Sequence, residues 1–225
     1  MIAAAATLAE RFGISRARQD EFAVASHRKA LQIPPGAAEI TPLAGLSHDA
    51  FPRGLTEATC LRLAPLAGDT AFGVTRATVA VEADAAAALL VVSEPMARRL
   101  KVRRPLRIIS ATRRGGDPAI PGAAPIAAAK SLLAAQRIAP TQIAVAEVME
   151  AFAAQAIACV DGIGVQESAL NRGGGGLARG HPIGASGATL AVRLWHEMQS
   201  ESTGAIGLAA IAAAGGLGSA LLATI

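Results

Sequence analysis

Tyrosine is absent from the chain, tryptophan occurs once and phenylalanine five times. So thin an aromatic supply excludes the stacking platforms on which proteins hold single-stranded nucleic acid. Cysteine occurs only as Cys60 and Cys159, which excludes a disulfide framework and fits a reducing compartment, with the cytoplasm the expected location. Among the four histidines, His27, His48 and His196 belong to no constellation and are expected at the surface. No pair of them stands at metal-ligand spacing with a cysteine, so no metal and no cofactor is expected. Charge is modest, with 21 Lys and Arg against 17 Asp and Glu. One run, "ARRLKVRRPLRIISATRRGG", gathers eight basic residues. Without interleaved aromatics it reads as a solvated helix end and loop, and no nucleic-acid partner is expected.

Uninterrupted apolar sequence is also scarce. The opening "MIAAAATLAERFG" has no basic start and meets Glu10 and Arg11 at once, unlike a secretory leader. The tail "GAIGLAAIAAAGGLGSALLATI" is uncharged over 22 residues. Its glycine-rich middle reads better as a turn between two buried strands than as a membrane span. No membrane association is expected.

What the chain does have is alanine, glycine and period. Residues 4–31 carry a helical pattern, with Ser15 as N-cap and Phe22, Ala23, Ala30 and Leu31 as an apolar face. Residues 33–68 show no sustained period. The β-branched run at 74–81 predicts a strand. Asp84 reads as the cap of a short buried helix followed by a strand. Beyond Pro105 the pattern predicts a strand at 106–111, a helix at 124–136, a strand at 143–148 and a helix at 151–161. A further helix at 184–199 and strands at 205–212 and 218–224 follow. This alternation predicts a layered α/β fold.

The stretch Asn171–Ala188 reads "NRGGGGLARGHPIGASGA". Four glycines in a row cost entropy on folding and imply close backbone approach or unusual dihedrals. His181 stands between them and a small-residue helix start, a setting that reads as a site. The run lacks the lysine–serine pair of a phosphate loop. Glu150, in "EVMEAFAAQA", reads as a helix-start carboxylate, with a general base as the alternative. Cys159 reads as a small buried hydrophobe.

These residues resemble the thiolases. "GGGGLARGHPIGASGA" is similar to their glycine-rich histidine motif, and "EVMEAFAAQA" to their Asn-Glu-Ala-Phe motif. "RQDEFAVASHRKA" resembles the start of their substrate-loop region, and "IAAAGGLGSALL" the closing hairpin that carries an acid/base cysteine. The resemblance implies a thiolase-like α/β fold and an acyl-CoA acyltransferase, in which a cysteine is acylated and a carbon nucleophile attacks the thioester.

The resemblance also implies a role for each matching position. His181 stabilises the enolate oxygen. Met149 replaces the asparagine that positions a water, and its thioether cannot hold one. Ala212 replaces the acid/base cysteine, and no residue matches the nucleophile. The backbone N–H of Ala214 takes the place of a second oxyanion donor. Arg53 lies at the nucleotide end of coenzyme A and Phe152 beside the pantetheine arm. Ala80 stands for a pantetheine-contacting serine, and Gly180 opens the histidine turn. Because the nucleophile motif is missing, the expected organisation is a carboxy-terminal half. Residues 1–82 form a partial coenzyme-A loop region, 83–103 a terminal helix and strand of the first domain, and 104–225 the carboxy-terminal domain. The expected function is a split or degenerate thiolase-like subunit, inactive alone. Its partners are acyl-CoA and a protein supplying the first domain, or a homo-oligomer. A non-catalytic acyl-CoA-binding or regulatory module, or a truncated fragment, is the alternative.

Overall fold

The computed structural model describes residues 1–33 and 37–225. Residues 34–36, part of the irregular stretch expected at 33–68, lie outside the described residues. In chain order the elements are α1 (Ile2–Arg11), α2 (Arg16–Ala30), α3 (Glu57–Leu61), α4 (Glu94–Arg99), β1 (Arg107–Gly115), α5 (Ala124–Gln136), β2 (Ile143–Val148), α6 (Ala153–Ile163), α7 (Gly176–Arg179), α8 (Ser186–Met198), β3 (Ile206–Ala213) and β4 (Leu217–Thr224).

Among the described residues, the strands form one sheet in the order β1-β4-β3-β2. β4 runs antiparallel to both neighbours, while β2 and β3 are parallel. A parallel pair needs a long crossover, and α6, α7 and α8 supply it. The side-chain period of two then sorts the strands into faces. Ala146, Leu208, Ala210, Ala220 and Leu222 pack against α5 and α6. Val145, Ala209, Ile211 and Leu221 face Leu190, Leu194 and Met198 of α8. A further layer covers α6, where Leu8 and Ala9 of α1 and Ile14 meet Ala154, Ile157 and Ala158. Alanine at these contacts lets the helices approach closely, and this is where the chain's alanine is spent.

The uncharged tail is the β3–β4 hairpin. Its turn places Gly215 and Gly216 consecutively at φ +85° and +87°, a conformation glycine adopts without steric cost. No helix among the described residues is long and apolar enough to cross a membrane.

Residues 4–31 form two helices rather than one. Ser15 Oγ accepts the Arg18 N–H at 3.3 Å, the expected N-cap. Ala23 and Ala30 are buried, but Leu31, just past the end of α2, is 54% exposed. The expected strand at 74–81 is absent. Its backbone groups instead bond to the start of α6, the Ala153 N–H donating to Thr78 O at 2.9 Å and the Ala80 N–H to Ala151 O at 3.0 Å. β-branched residues favour extended backbone, but a strand also needs a ladder beside it. No strand forms after Asp84 either, and the short helix of that segment, α4, starts only at Glu94 and buries no residue. Residues 85–92 carry no regular element, and Leu90 is 80% exposed.

Candidate functional site

Helix α2 opposes the loop that carries the glycine run, and a buried carboxylate joins them. Glu150 lies in the turn between β2 and α6, almost wholly out of solvent. Ser26 Oγ–H donates to its Oε2 at 2.6 Å, Asn171 Nδ2–H to its Oε1 at 2.7 Å, and the Leu177 N–H to Oε2 at 3.3 Å. Burial raises its pKa despite these donors. Glu150 stands just before α6, and its carboxylate is an interior cross-link to α2 and the glycine loop. Asn171 also closes the edge of β2, because its side chain exchanges hydrogen bonds with the Val148 N–H and C=O, both at 2.8 Å.

The four glycines are explained by what they touch. A Cβ at Gly175 would stand 2.2 Å from Glu150 Cδ, and one at Gly176 would stand 2.3 Å from Met149 Cε. Met149 is buried among Val145, Leu190, Leu194 and Met198, with its methyl against the glycine backbone. The position matched to a water-holding asparagine is thus filled by apolar packing.

The run ends at Gly180, whose φ is +93° and whose Cβ would stand 2.6 Å from Ala83 Cβ and 3.2 Å from the Phe51 ring. His181 follows, its backbone N–H donating to Val81 O at 2.7 Å. Its half-buried ring meets Ser186 Oγ through Nδ1 at 2.7 Å, and desolvation lowers its pKa. The connector over residues 78–83 therefore joins Ala80, Gly180, His181 and Phe152 into one neighbourhood. Phe152 is 8% exposed and packs with Ala5, Ala6 and Val74. Arg53 is exposed, two residues from Phe51, whose carbonyl accepts its Nη1 at 3.4 Å. Ala212 is half-buried on β3 opposite Gly218, and Ala214 is exposed in the hairpin turn. Neither alanine side chain carries a group that moves a proton. Both cysteines are buried, and burial pushes Cys159 up to about 12 and raises Cys60 as well, the opposite of an activated thiolate.

Sequence reasoning missed three features. Glu39 lies on both Arg179 (2.7 Å) and Arg193 (2.9 Å), and Arg193 also reaches Glu147 at 3.1 Å. This ion-pair group ties residues 37–49 to the glycine loop and α8. Ser186, the partner of His181, carried no signal beyond a serine at a helix start. His27, expected at the surface, is buried; its Nδ1 accepts the Arg53 N–H at 3.3 Å. Burial first, then the Arg53 charge, lowers its pKa to about 4.

That shift has a measurable consequence. Unfolded His27 takes a proton near pH 6.5, whereas the folded ring refuses it until about pH 4. Stability from this group is full above pH 6.5 and is lost as pH falls toward 4, by up to about 3 kcal/mol. Urea titrations between pH 4 and 7 should show a shallower acid loss for His27→Gln than for the parent. Equal slopes would refute the assignment.

A layered α/β fold with a histidine turn at the start of a crossover helix defines a class before it defines a family. The thiolase C-terminal domain model matches residues 103–224, and the thiolase N-terminal domain model matches residues 1–95. The chain belongs to the thiolase family. The acetyl-CoA acetyltransferase of Escherichia coli is 36% identical over 229 residues, covering 97% of this chain and 58% of that protein. The 3-ketoacyl-CoA thiolase of Klebsiella pneumoniae is 36% identical over 208 residues, covering 85% of this chain and 54% of its own. The Bacillus anthracis acetyl-CoA acetyltransferase structure superposes with a TM-score of 0.88 at 30% identity, covering 100% of this chain and 59% of that one. The human mitochondrial 3-ketoacyl-CoA thiolase, solved in complex with CoA, gives 0.87 at 25% identity, covering 99% and 58%. The chain spans about 60% of the length of the curated relatives it matches first, 62% and 58%.

These matches correct four expectations. The chain is not a carboxy-terminal half only, because residues 1–95 match the N-terminal domain. The fold is not a carboxy-terminal domain with part of a loop region, because the superposition on thiolases runs over the whole chain. The split-subunit reading falls with it, and so does the protein partner supplying the first domain, since both domain models match within one chain. The physical reason is visible in the packing. Segments matched by the two domain models share one core, since α1 and Ile14 pack against α6.

Proposed function

We propose that this chain binds a coenzyme A thioester with the acyl oxygen at His181. The observation that supports the reading is the His181 turn. Gly180 at φ +93° and the Val81 carbonyl fix the backbone, Ser186 takes Nδ1, and no protein group among the described residues bonds Nε2. A fixed donor facing an open position is what a developing oxyanion requires. Arg53 would meet the nucleotide end and Phe152 with Ala80 the pantetheine, with the Ala214 N–H as the second oxyanion donor. Met149 cannot orient a water and Ala212 cannot exchange a proton, so these residues support thioester binding and polarisation without carbon–carbon bond cleavage. Neither Cys60 nor Cys159 serves as the nucleophile, because both are buried as high-pKa thiols.

Calorimetry with coenzyme A and acetoacetyl-CoA on the 225-residue chain tests this. Ala80 lacks a hydroxyl and Phe152 is largely covered, so the expected affinity is millimolar to high micromolar, about −4 to −6 kcal/mol. His181→Ala should weaken the thioester while leaving free coenzyme A unchanged. No steady thiolysis is expected. Turnover that persists in a Cys60→Ala, Cys159→Ala double variant would overturn the reading, as would binding unaffected by both Arg53→Ala and Phe152→Ala.

A further inference from the structure

We propose that Ser186 is a positioning residue that holds His181 as the Nε2–H tautomer, making the ring a hydrogen-bond donor toward ligand and not a base. The inference rests on the His181 reading above and goes one step further, to the ring's proton.

A neutral imidazole carries one proton, and the partner of one nitrogen decides where it sits. Nδ1 of His181 and Oγ of Ser186 are 2.7 Å apart. Two arrangements fit that distance. In one, Nδ1–H donates to Oγ, and the hydroxyl proton must then find another acceptor. In the other, Oγ–H donates to the Nδ1 lone pair, and the ring proton sits on Nε2. Ser186 is 1% exposed, so solvent does not offer the first arrangement an acceptor. Among the described residues, His181 Nδ1 is the one hydrogen-bond partner of Oγ. The first arrangement therefore leaves a buried hydroxyl proton unsatisfied, a penalty that protein interiors avoid. The second satisfies it fully.

The surroundings also favour a neutral ring. Ser186 opens α8, a helix of 13 residues, and the positive end of a helix disfavours an imidazolium beside it. Partial burial acts in the same direction. The outcome is a neutral ring with a proton on Nε2, the nitrogen that no protein group among the described residues occupies. Such a ring can stabilise an oxyanion. It cannot take a proton through Nε2, because that nitrogen has no lone pair in the plane to offer. Ser186 does this without touching ligand, through the one bond to Nδ1.

Nitrogen-15 NMR of selectively labelled histidine in the ligand-free chain at neutral pH reads the tautomer directly, independently of whether coenzyme A binds. In the parent protein, His181 Nδ1 should resonate in the unprotonated range and Nε2 in the protonated range. Ser186→Ala should collapse this into averaged shifts from exchange between tautomers. Ser186→Thr, which keeps the hydroxyl, should restore the single state. A proton on Nδ1 in the parent would overturn the proposal, and so would averaged shifts there. A Ser186→Ala ring still locked with its proton on Nε2 would remove Ser186 from the role. Failure of coenzyme A to bind, with the tautomer pattern as described, would count against the ligand reading alone.

Discussion

Replacing Arg193 by methionine is expected to lower the unfolding free energy by about 3–5 kcal/mol, the usual result of stripping one partner from a buried ion pair. Arg193 is nearly buried and reaches Glu147 at 3.1 Å, Glu39 at 2.9 Å and Glu197 at 3.3 Å. Its acidic neighbours differ in exposure. Glu197 retains some access to water, whereas Glu147 has none. Among the described residues, Glu147 Oε1 has no hydrogen-bond partner, so its whole compensation runs through Oε2 and Arg193. Burial already drives the Glu147 carboxyl well above the ordinary carboxylate range, with Arg193 opposing. On the other side, burial alone would lower Arg193, but the surrounding carboxylates hold its pKa above the usual value. Removing the cation tips Glu147 to the neutral acid and releases Glu39 from α8. Adding Glu147→Gln to Arg193→Met should recover more than half of the loss, because no buried charge then remains unpaired. Urea denaturation at pH 7 checks both values. A loss below about 1 kcal/mol for Arg193→Met would mean that water reaches the pair.

Gly175→Ala should cost about 3 kcal/mol, because added volume and broken hydrogen bonds act together. The new methyl would stand 2.2 Å from Glu150 Cδ and 2.5 Å from each carboxylate oxygen. That carboxylate is buried and cannot swing aside without dropping Ser26, Asn171 and the Leu177 N–H. The backbone is not the obstacle, since Gly175 sits at φ −111°, where any residue is at ease. Gly187→Ala is the control: a Cβ there meets nothing within 4 Å, and alanine in the first turn of α8 should be neutral or gain up to about 1 kcal/mol. Matching urea midpoints for the two variants would show that the Glu150 cross-link is looser than the distances imply.

Beyond Pro105 the architecture was legible in the sequence, and before it much less so. α5 spans 124–136 and β2 spans 143–148, as the periodicity predicts. α5 packs one face on the sheet, and β2 is covered by helices on both faces, so their apolar residues report their packing directly. The run at 74–81 has the same β-branched composition as a strand but no ladder, and a ladder is a fact about other parts of the chain. His27 belongs to no constellation in the sequence, and composition alone places such a histidine at the surface. It is buried because residues 51–53 fold across it, a contact no local pattern records. The turn before His181 was legible from its glycines, which end at Gly180 with φ +93°. Ser186 was not, because a serine opening a helix is ordinary until its hydroxyl is seen facing a ring nitrogen. The N-terminal domain match over residues 1–95 was not legible from site motifs, since catalytic motifs and core packing are separate properties of a sequence.

Ser26 and His27 are consecutive residues of α2, and they face different clients. Ser26 donates to Glu150 and accepts the Gly175 N–H at 3.1 Å, while His27 accepts the Arg53 N–H. The loop bearing Arg53 and the loop leading to His181 are therefore gauged from the same peptide unit. A shift of α2 along its axis carries both loops together and leaves their separation intact. A second tie, from Arg179 to Glu39 and Asp49, joins the same two regions without α2. The interval between the two loops is thus referenced to one dipeptide on one side and to one guanidinium on the other.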